Sequence, residues 1–80
     1  MSDVIHIASL IVRTRHEDAE AVALRLARMS GVEVHAVQDG KIILVLEAGS
    51  ERGLADHMDV IRCEAGVLLA SLVYHEVEGA

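Results

Sequence analysis

Histidine, cysteine and serine are the side chains of this 80-residue chain that come closest to metal or nucleophile chemistry. None of the histidines has the spacing to a second pair of ligands that a metal motif requires. Cys63 is the one cysteine, which excludes an internal disulfide or a multi-cysteine metal site. Because Cys63 lies in a helical pattern, we expect a buried thiol. We therefore expect no metal ion and no other cofactor.

Catalytic groups are also missing from the sequence. Ser9 and Ser71 lack the turn of a hydrolase nucleophile, and we expect them to pair across neighbouring strands instead. The chain has no glycine-rich phosphate loop and no Asn, and its one aromatic residue, Tyr74, cannot form the stacking surface of an RNA-binding sheet. These absences predict a binding protein rather than an enzyme.

Length and composition predict one small cytoplasmic domain spanning residues 1–80. Hydrophobic residues make up 52% of the chain and are mostly aliphatic, so the fold must rest on aliphatic packing without disulfides. The formal net charge of −6 disfavours nucleic acid as a partner. The start of the chain is acidic, unlike a secretory signal, and its apolar runs are too short to span a bilayer, so we expect no membrane insertion.

Hydrophobic periodicity predicts four strands and two helices. The predicted strands cover about residues 4–13, 32–38, 41–47 and 67–75, and the predicted helices cover about residues 15–29 and 51–63. Thr14 and Glu17 have the spacing of a capping box, and Ser50 can cap the second helix. Asp39-Gly40 is typical of a two-residue hairpin turn with positive φ at both positions.

The element order β-α-β-β-α-β predicts an α+β, ferredoxin-like split βαβ sandwich. Two βαβ halves with right-handed crossovers form a four-stranded antiparallel sheet of order 4-1-3-2 with both helices on one face. Ala8-Ser9-Leu10 in the first strand recurs as Ala70-Ser71-Leu72 in the fourth, which supports two related halves.

Alternation along each strand assigns side chains to the two faces of the sheet. The face toward the helices is predicted to hold Val32, Val34, Ala36, Ile42, Leu44, Leu46, Ala8, Leu10, Val12, Ala70, Leu72 and Tyr74. The face without helices, called the open face below, is predicted to hold Ile7, Ser9, Ile11, Ile43, Val45, Leu69, Ser71, Val73 and His75. A slip of one residue would exchange the two sets.

An apolar open face needs a partner. The patch could expose roughly 400 Å² of apolar surface, which is in the range of interaction sites. We also expect an acidic end formed by Glu33, Glu47 and Glu76, and a basic end formed by Arg13, Arg15 and Lys41. A basic partner with an apolar surface would fit this face better than an acidic one. The same patch is compatible with a weak homodimer, or with cover by the short tail predicted after His75.

Three segments resemble the NapD family. The stretch Gly66 to His75, which reads GVLLASLVYH, is similar to the last strand of that family. Ala8 to Val12 is similar to its first strand, and Gly31 to Val34 follows its first helix in the same way. The resemblance extends from about residue 5 to residue 78.

The resemblance implies a function. NapD proteins are cytoplasmic chaperones with a ferredoxin-like fold, and they serve the catalytic subunit of periplasmic nitrate reductase. They bind the twin-arginine signal peptide of the precursor and restrain its export until cofactor insertion is complete. We expect such a peptide to bind the open face as an amphipathic helix, with its arginines toward Glu33, Glu47 and Glu76.

Two alternatives remain open at this point. A small-molecule regulatory module like an ACT domain shares the fold and would bind its ligand near Gly31 or Gly66. A structural dimerisation domain would bind neither peptide nor small molecule.

Overall fold

A computed structural model describes residues 4–79 of the protein. It contains four strands and two α-helices in the order β1-α1-β2-β3-α2-β4. The strands are β1 (Ile5–Arg13), β2 (Val32–Gln38), β3 (Lys41–Ala48) and β4 (Leu69–Glu78), and the helices are α1 (Ala19–Ala27) and α2 (Glu51–Arg62). A 3-10 turn, His16–Asp18, precedes α1. Within the described range, no helix is long and apolar enough to cross a membrane.

The strands form one antiparallel sheet in the order β2-β3-β1-β4, which confirms the predicted order and fold class. One face of β1 and β3 packs against the helices, because the residues buried there alternate along each strand. The fully buried core combines these strand residues with apolar residues of the helices: Ala8, Leu10, Val12, Ile42, Leu44, Leu46, Val22, Leu26 and Ile61.

Glycines make two of the turns possible. Asp39 and Gly40 join β2 to β3 with φ values of 51° and 75°, as the hairpin signal predicted. Gly31 precedes β2 with a φ of 77°, and its carbonyl accepts a hydrogen bond of 2.8 Å from the N–H of Glu47. A Cβ at Gly31 would lie 2.6 Å from the Glu47 carbonyl oxygen, so both the conformation and the close approach require glycine.

Helix α2 begins as predicted and α1 does not. The Ser50 hydroxyl accepts a 3.0 Å hydrogen bond from the N–H of Gly53, which caps α2. The predicted capping box of Thr14 and Glu17 is wrong, because Thr14 is buried and its hydroxyl donates to the carbonyl of Arg15. Cys63 follows α2 and is exposed, so the expected buried thiol is also wrong.

Strand β4 differs from the prediction in its bounds and in the middle of its course. It runs from Leu69 to Glu78, so most of the predicted tail is strand. Leu72 pairs with Leu10 on β1, but Ser9 pairs with Tyr74, which leaves Val73 as an extra residue in a β-bulge. Beyond the bulge, every side chain of β4 lies on the opposite face from the one that strict alternation assigns.

Four predicted positions on β4 are corrected, three of them because of the bulge. Tyr74 lies on the open face with 54% of its surface exposed, instead of in the core. His75 pairs with Ala8 and so lies on the helix side, instead of on the open face. Leu72 faces the helix side but is half-exposed at the sheet edge, and Val73 has no partner on β1.

A second bulge changes β2. Val34 pairs with Leu44 and Ala36 with Ile43, so His35 is the extra residue. Ala36 therefore lies on the open face and is exposed, which corrects its predicted core position. Val37 takes the helix side instead, opposite Ile42.

Candidate functional site

The open face is a set of cross-strand rows, because directly paired residues share a face of the sheet. Ile7 lies between Glu47 and Glu76, and Ser9 lies between Val45 and Tyr74. The next rows place Ile11 between Ile43 and Ser71, and Arg13 between Lys41 and Leu69. Strand β2 extends the rows with Glu33 beside Val45, Ala36 beside Ile43 and Gln38 beside Lys41.

The middle of the open face is apolar and accessible. Ile7, Ile11 and Val45 are partly exposed, although they lie on or beside the central strand β1. Ile43 is 42% exposed and Tyr74 is 54% exposed. Ser9 and Ser71, which were expected to pair with each other, lie in adjacent rows with Tyr74 and Ile11 as partners. The face therefore offers a broad aliphatic surface with two hydroxyl groups and one phenol.

Carboxylates gather at one end of the open face. Glu47 and Glu76 flank Ile7 from the two neighbouring strands, and Glu33 follows one row further along. A shallow depression of about 330 Å³ lies among Gly31, Val32, Glu33, Val45 and Glu47. The Glu33 carboxylate is 3.4 Å from Nε2 of His35, and its side chain is 75% exposed. Cationic groups can therefore approach this end from solvent.

The opposite end of the open face is basic. Arg13 and Lys41 are direct partners on β1 and β3, and both are exposed. Asp39 and Gln38 line a depression beside Lys41, so the positive charge here is partly balanced. The face thus changes from negative to positive along the direction of β1.

His75 contributes to the other side of the sheet. Its Nε2 lies 3.2 Å from Nδ1 of His6, so one ring donates a hydrogen bond to the other, and the ring centroids are 5.4 Å apart. This pair joins β1 to β4 on the helix side. Among residues 4–79 no three His, Cys, Asp or Glu side chains come close enough together to hold a metal ion.

The structure brings together most of the residues that the sequence singled out. Ile7, Ser9, Ile11, Ile43, Val45, Leu69 and Ser71 share the open face, together with Glu33, Glu47 and Glu76. Arg15 lies beyond β1, before the 3-10 turn, and is not in the rows of the sheet. Sequence reasoning missed Tyr74, since no residue type in Leu72-Val73-Tyr74 signals a bulge.

Comparisons with known proteins agree on one family. The NapD protein family matches residues 5–79 of the chain. The chain is 40% identical over 76 residues to the chaperone NapD of Paracoccus pantotrophus, covering 95% of this chain and 68% of that protein. It is 36% identical over 75 residues to the chaperone NapD of Escherichia coli K12, covering 90% of this chain and 85% of that protein.

A solved structure agrees with the fold. The solution structure of the E. coli Tat proofreading chaperone protein NapD superimposes with a TM-score of 0.84 at 31% identity, covering 90% of this chain and 78% of that one. The family match covers nearly the whole chain, and the relatives and the solved structure agree with it. The chain belongs to the NapD family of chaperones and is not an enzyme.

Proposed function

We propose that the protein is a cytoplasmic chaperone that binds the twin-arginine signal peptide of the precursor of the periplasmic nitrate reductase catalytic subunit. The single observation that carries this proposal is the open face, with an apolar centre between an acidic and a basic end. A twin-arginine signal peptide has the matching order, with a basic start followed by an apolar segment. The description of the E. coli relative as a Tat proofreading chaperone supports the same role.

The dimensions of the face suit a helical peptide. From the row of Ile7 to the row of Arg13 the sheet extends about 20 Å, at about 3.3 Å per residue. An α-helix of about 13 residues has the same length, at 1.5 Å per residue. An amphipathic helix can thus place its arginines beside Glu33, Glu47 and Glu76 while its apolar stripe covers Ile11, Ile43 and Val45.

The basic end favours one direction of such a helix. The C-terminus of a helix carries a partial negative charge, which Arg13 and Lys41 would stabilise. The positively charged N-terminus and the arginines would lie at the acidic end. A peptide held in this way has both its arginines and its apolar segment covered, which would restrain export until cofactor insertion into the precursor is complete.

Charge reversal at the acidic end tests the proposal. We expect the triple variant E33K, E47K and E76K to bind a synthetic twin-arginine signal peptide about tenfold or more weakly, because attraction of the arginines becomes repulsion. Isothermal titration calorimetry measures the change. The matched control is E20K, D56K and D59K, which reverses three exposed carboxylates on the helices and changes the net charge equally.

The control separates local attraction from total charge. If the two triple variants lose affinity equally, the peptide responds to net charge alone and the open face is not its site. If neither loses affinity, the acidic end does not bind the arginines.

A further inference from the structure

The outer edge of β4 is an exposed apolar feature that adjoins the open face. Among residues 4–79, strand β4 ends the sheet, so within this range no strand pairs with the backbone N–H and C=O groups along its outer edge. It is also the longest strand, with ten residues. Six large hydrophobic side chains in or beside it are half-exposed or more: Leu68, Leu69, Leu72, Val73, Tyr74 and Val77.

The apolar side chains flank this edge on both faces of the sheet. Leu69 and Tyr74 lie on the open side, whereas Leu72 and Val77 lie on the helix side. Burial of such an edge requires a partner that lies alongside it, in the plane of the sheet, rather than one that covers a single face. A second strand meets this requirement, because it would satisfy the backbone groups and pack side chains on both faces.

The other sheet edge lacks these features. Strand β2 is shorter, with seven residues, and its exposed side chains include those of Glu33, His35 and Gln38. Short length and charged or polar side chains are usual means by which an edge strand avoids pairing. The contrast singles out β4 as the edge suited to association.

Charge along the β4 edge is self-complementary. The strand starts beside two basic residues: Arg13 is the partner of Leu69, and Arg62 lies beside Leu68 and Leu69 in a shallow depression. It ends with Glu76 and Glu78. In an antiparallel pair of two β4 strands related by a two-fold axis, the acidic end of each strand meets the basic end of the other.

We propose that two copies of the protein associate through antiparallel pairing of their β4 edges, giving a continuous eight-stranded sheet. Ten residues at about 3.3 Å each provide an edge about 33 Å long, which is a small interface. The association is therefore weak, with a dissociation constant on the order of 10–100 µM. Both open faces lie on the same side of the joined sheet and remain accessible. This dimer differs from the face-to-face homodimer that the sequence alone suggested.

Sedimentation equilibrium of the full chain tests the proposal. The weight-average mass is expected to rise with protein concentration from 8.6 kDa toward twice that value. L72K adds a charge to the β4 edge on the helix side and should weaken association about tenfold or more. V37K, the matched control, adds the same charge on the helix side of the β2 edge and should leave the association unchanged.

A charge exchange keeps the test informative if L72K folds poorly. R62E alone and E78R alone should each weaken the association severalfold, and the double variant R62E and E78R should restore most of it. L72K should still bind a twin-arginine peptide, because Leu72 is not part of the open face. A mass that stays at 8.6 kDa up to millimolar protein overturns the proposal. Equal effects of L72K and V37K, or dissociation of the dimer by the peptide, would also overturn it.

Discussion

At the scale of single residues, the open face depends on apolar side chains that the fold leaves in contact with water. Ile43 is 42% exposed on β3, whereas its neighbours Ile42 and Leu44 are fully buried beneath the helices. Because its side chain points away from the helices, Ile43 does not pack in the hydrophobic core. A ligand that covers Ile43 would remove this apolar surface from water, which is favourable.

Replacement of Ile43 by serine is the simplest test of the apolar centre. We expect I43S to bind the twin-arginine peptide about tenfold more weakly, since burial of an aliphatic side chain contributes about 1–2 kcal/mol. The stability of the free protein should change little. The control is L24S on α1, where a 67% exposed leucine lies far from the sheet face. Equal binding by I43S and the unmodified protein would exclude this residue from the site.

Gly31 is a residue on which the geometry of the acidic end depends. We expect G31A to lower the free energy of unfolding by about 2 kcal/mol, because the backbone needs positive φ and the new Cβ would collide with the Glu47 carbonyl. Urea denaturation measures this loss. G49A is the control: no atom outside the immediate chain lies within 4 Å of a Cβ there, so its effect should be below about 0.5 kcal/mol. Similar losses in both variants would contradict the account.

At the scale of secondary-structure elements, the bulge in β4 decides which side chains reach the open face. Strict alternation from Leu69 would put Glu76 on the helix side, away from Glu47. The extra residue Val73 moves Glu76 and Tyr74 to the open face and His75 to the helix side. The acidic end as observed therefore requires that Val73 stays outside the pairing with β1.

Changes of chain length near the bulge test this dependence. Deletion of Val73 leaves the partners of Tyr74 and Glu76 on β1 unchanged, so we expect peptide affinity within about twofold of the original. Insertion of one alanine after Tyr74 reverses the faces of the residues that follow, so Glu76 leaves the open face and affinity falls severalfold. Cross-strand nuclear Overhauser effects between Ile7 and Glu76 report the register directly. Equal affinity in the two variants would contradict the role of the bulge.

The two bulges could not be predicted from the sequence. On β1 and β3 the pairing has no bulge, and the polar residues Arg13, Lys41 and Glu47 at the strand ends indicate the outer face. The core set Ala8, Leu10 and Val12 and the open set around Ile43 therefore followed from strict alternation. On β4, Leu72, Val73 and Tyr74 are all apolar, so either face can accept them and no local signal fixes the register. The same holds for Ala36 and Val37 on β2. Edge strands tolerate such irregularities because they have a neighbouring strand on one side only, so only one pairing register must be maintained.

At the scale of the whole molecule, charge distribution matters more than total charge. The net charge of −6 would attract any cation weakly, but the open face separates Glu33, Glu47 and Glu76 from Arg13 and Lys41 by about the length of a short helix. A basic and apolar peptide can thus be oriented as well as attracted. This separation of negative and positive charge arises because antiparallel pairing brings the start of β1 together with the ends of β3 and β4.

Salt should weaken peptide binding without abolishing it. An increase in ionic strength from about 0.05 M to about 0.5 M shortens the range of the charge attraction, so we expect affinity to fall severalfold. The apolar contribution persists at high salt. Calorimetry at several sodium chloride concentrations measures this dependence. An affinity independent of salt would mean that the carboxylates do not bind the arginines.

Binding of the signal peptide to the helix-free side of the sheet is the proposal on which the other predictions depend. Titration of isotope-labelled protein with a twin-arginine signal peptide, followed through backbone amide resonances, tests it most directly. We expect the largest shifts at Ser9, Ile11 and Val45, with small changes along α1 and α2. Shifts confined to the helices, or to the loops around Gly31 and Gly66, with an unchanged sheet, would contradict it.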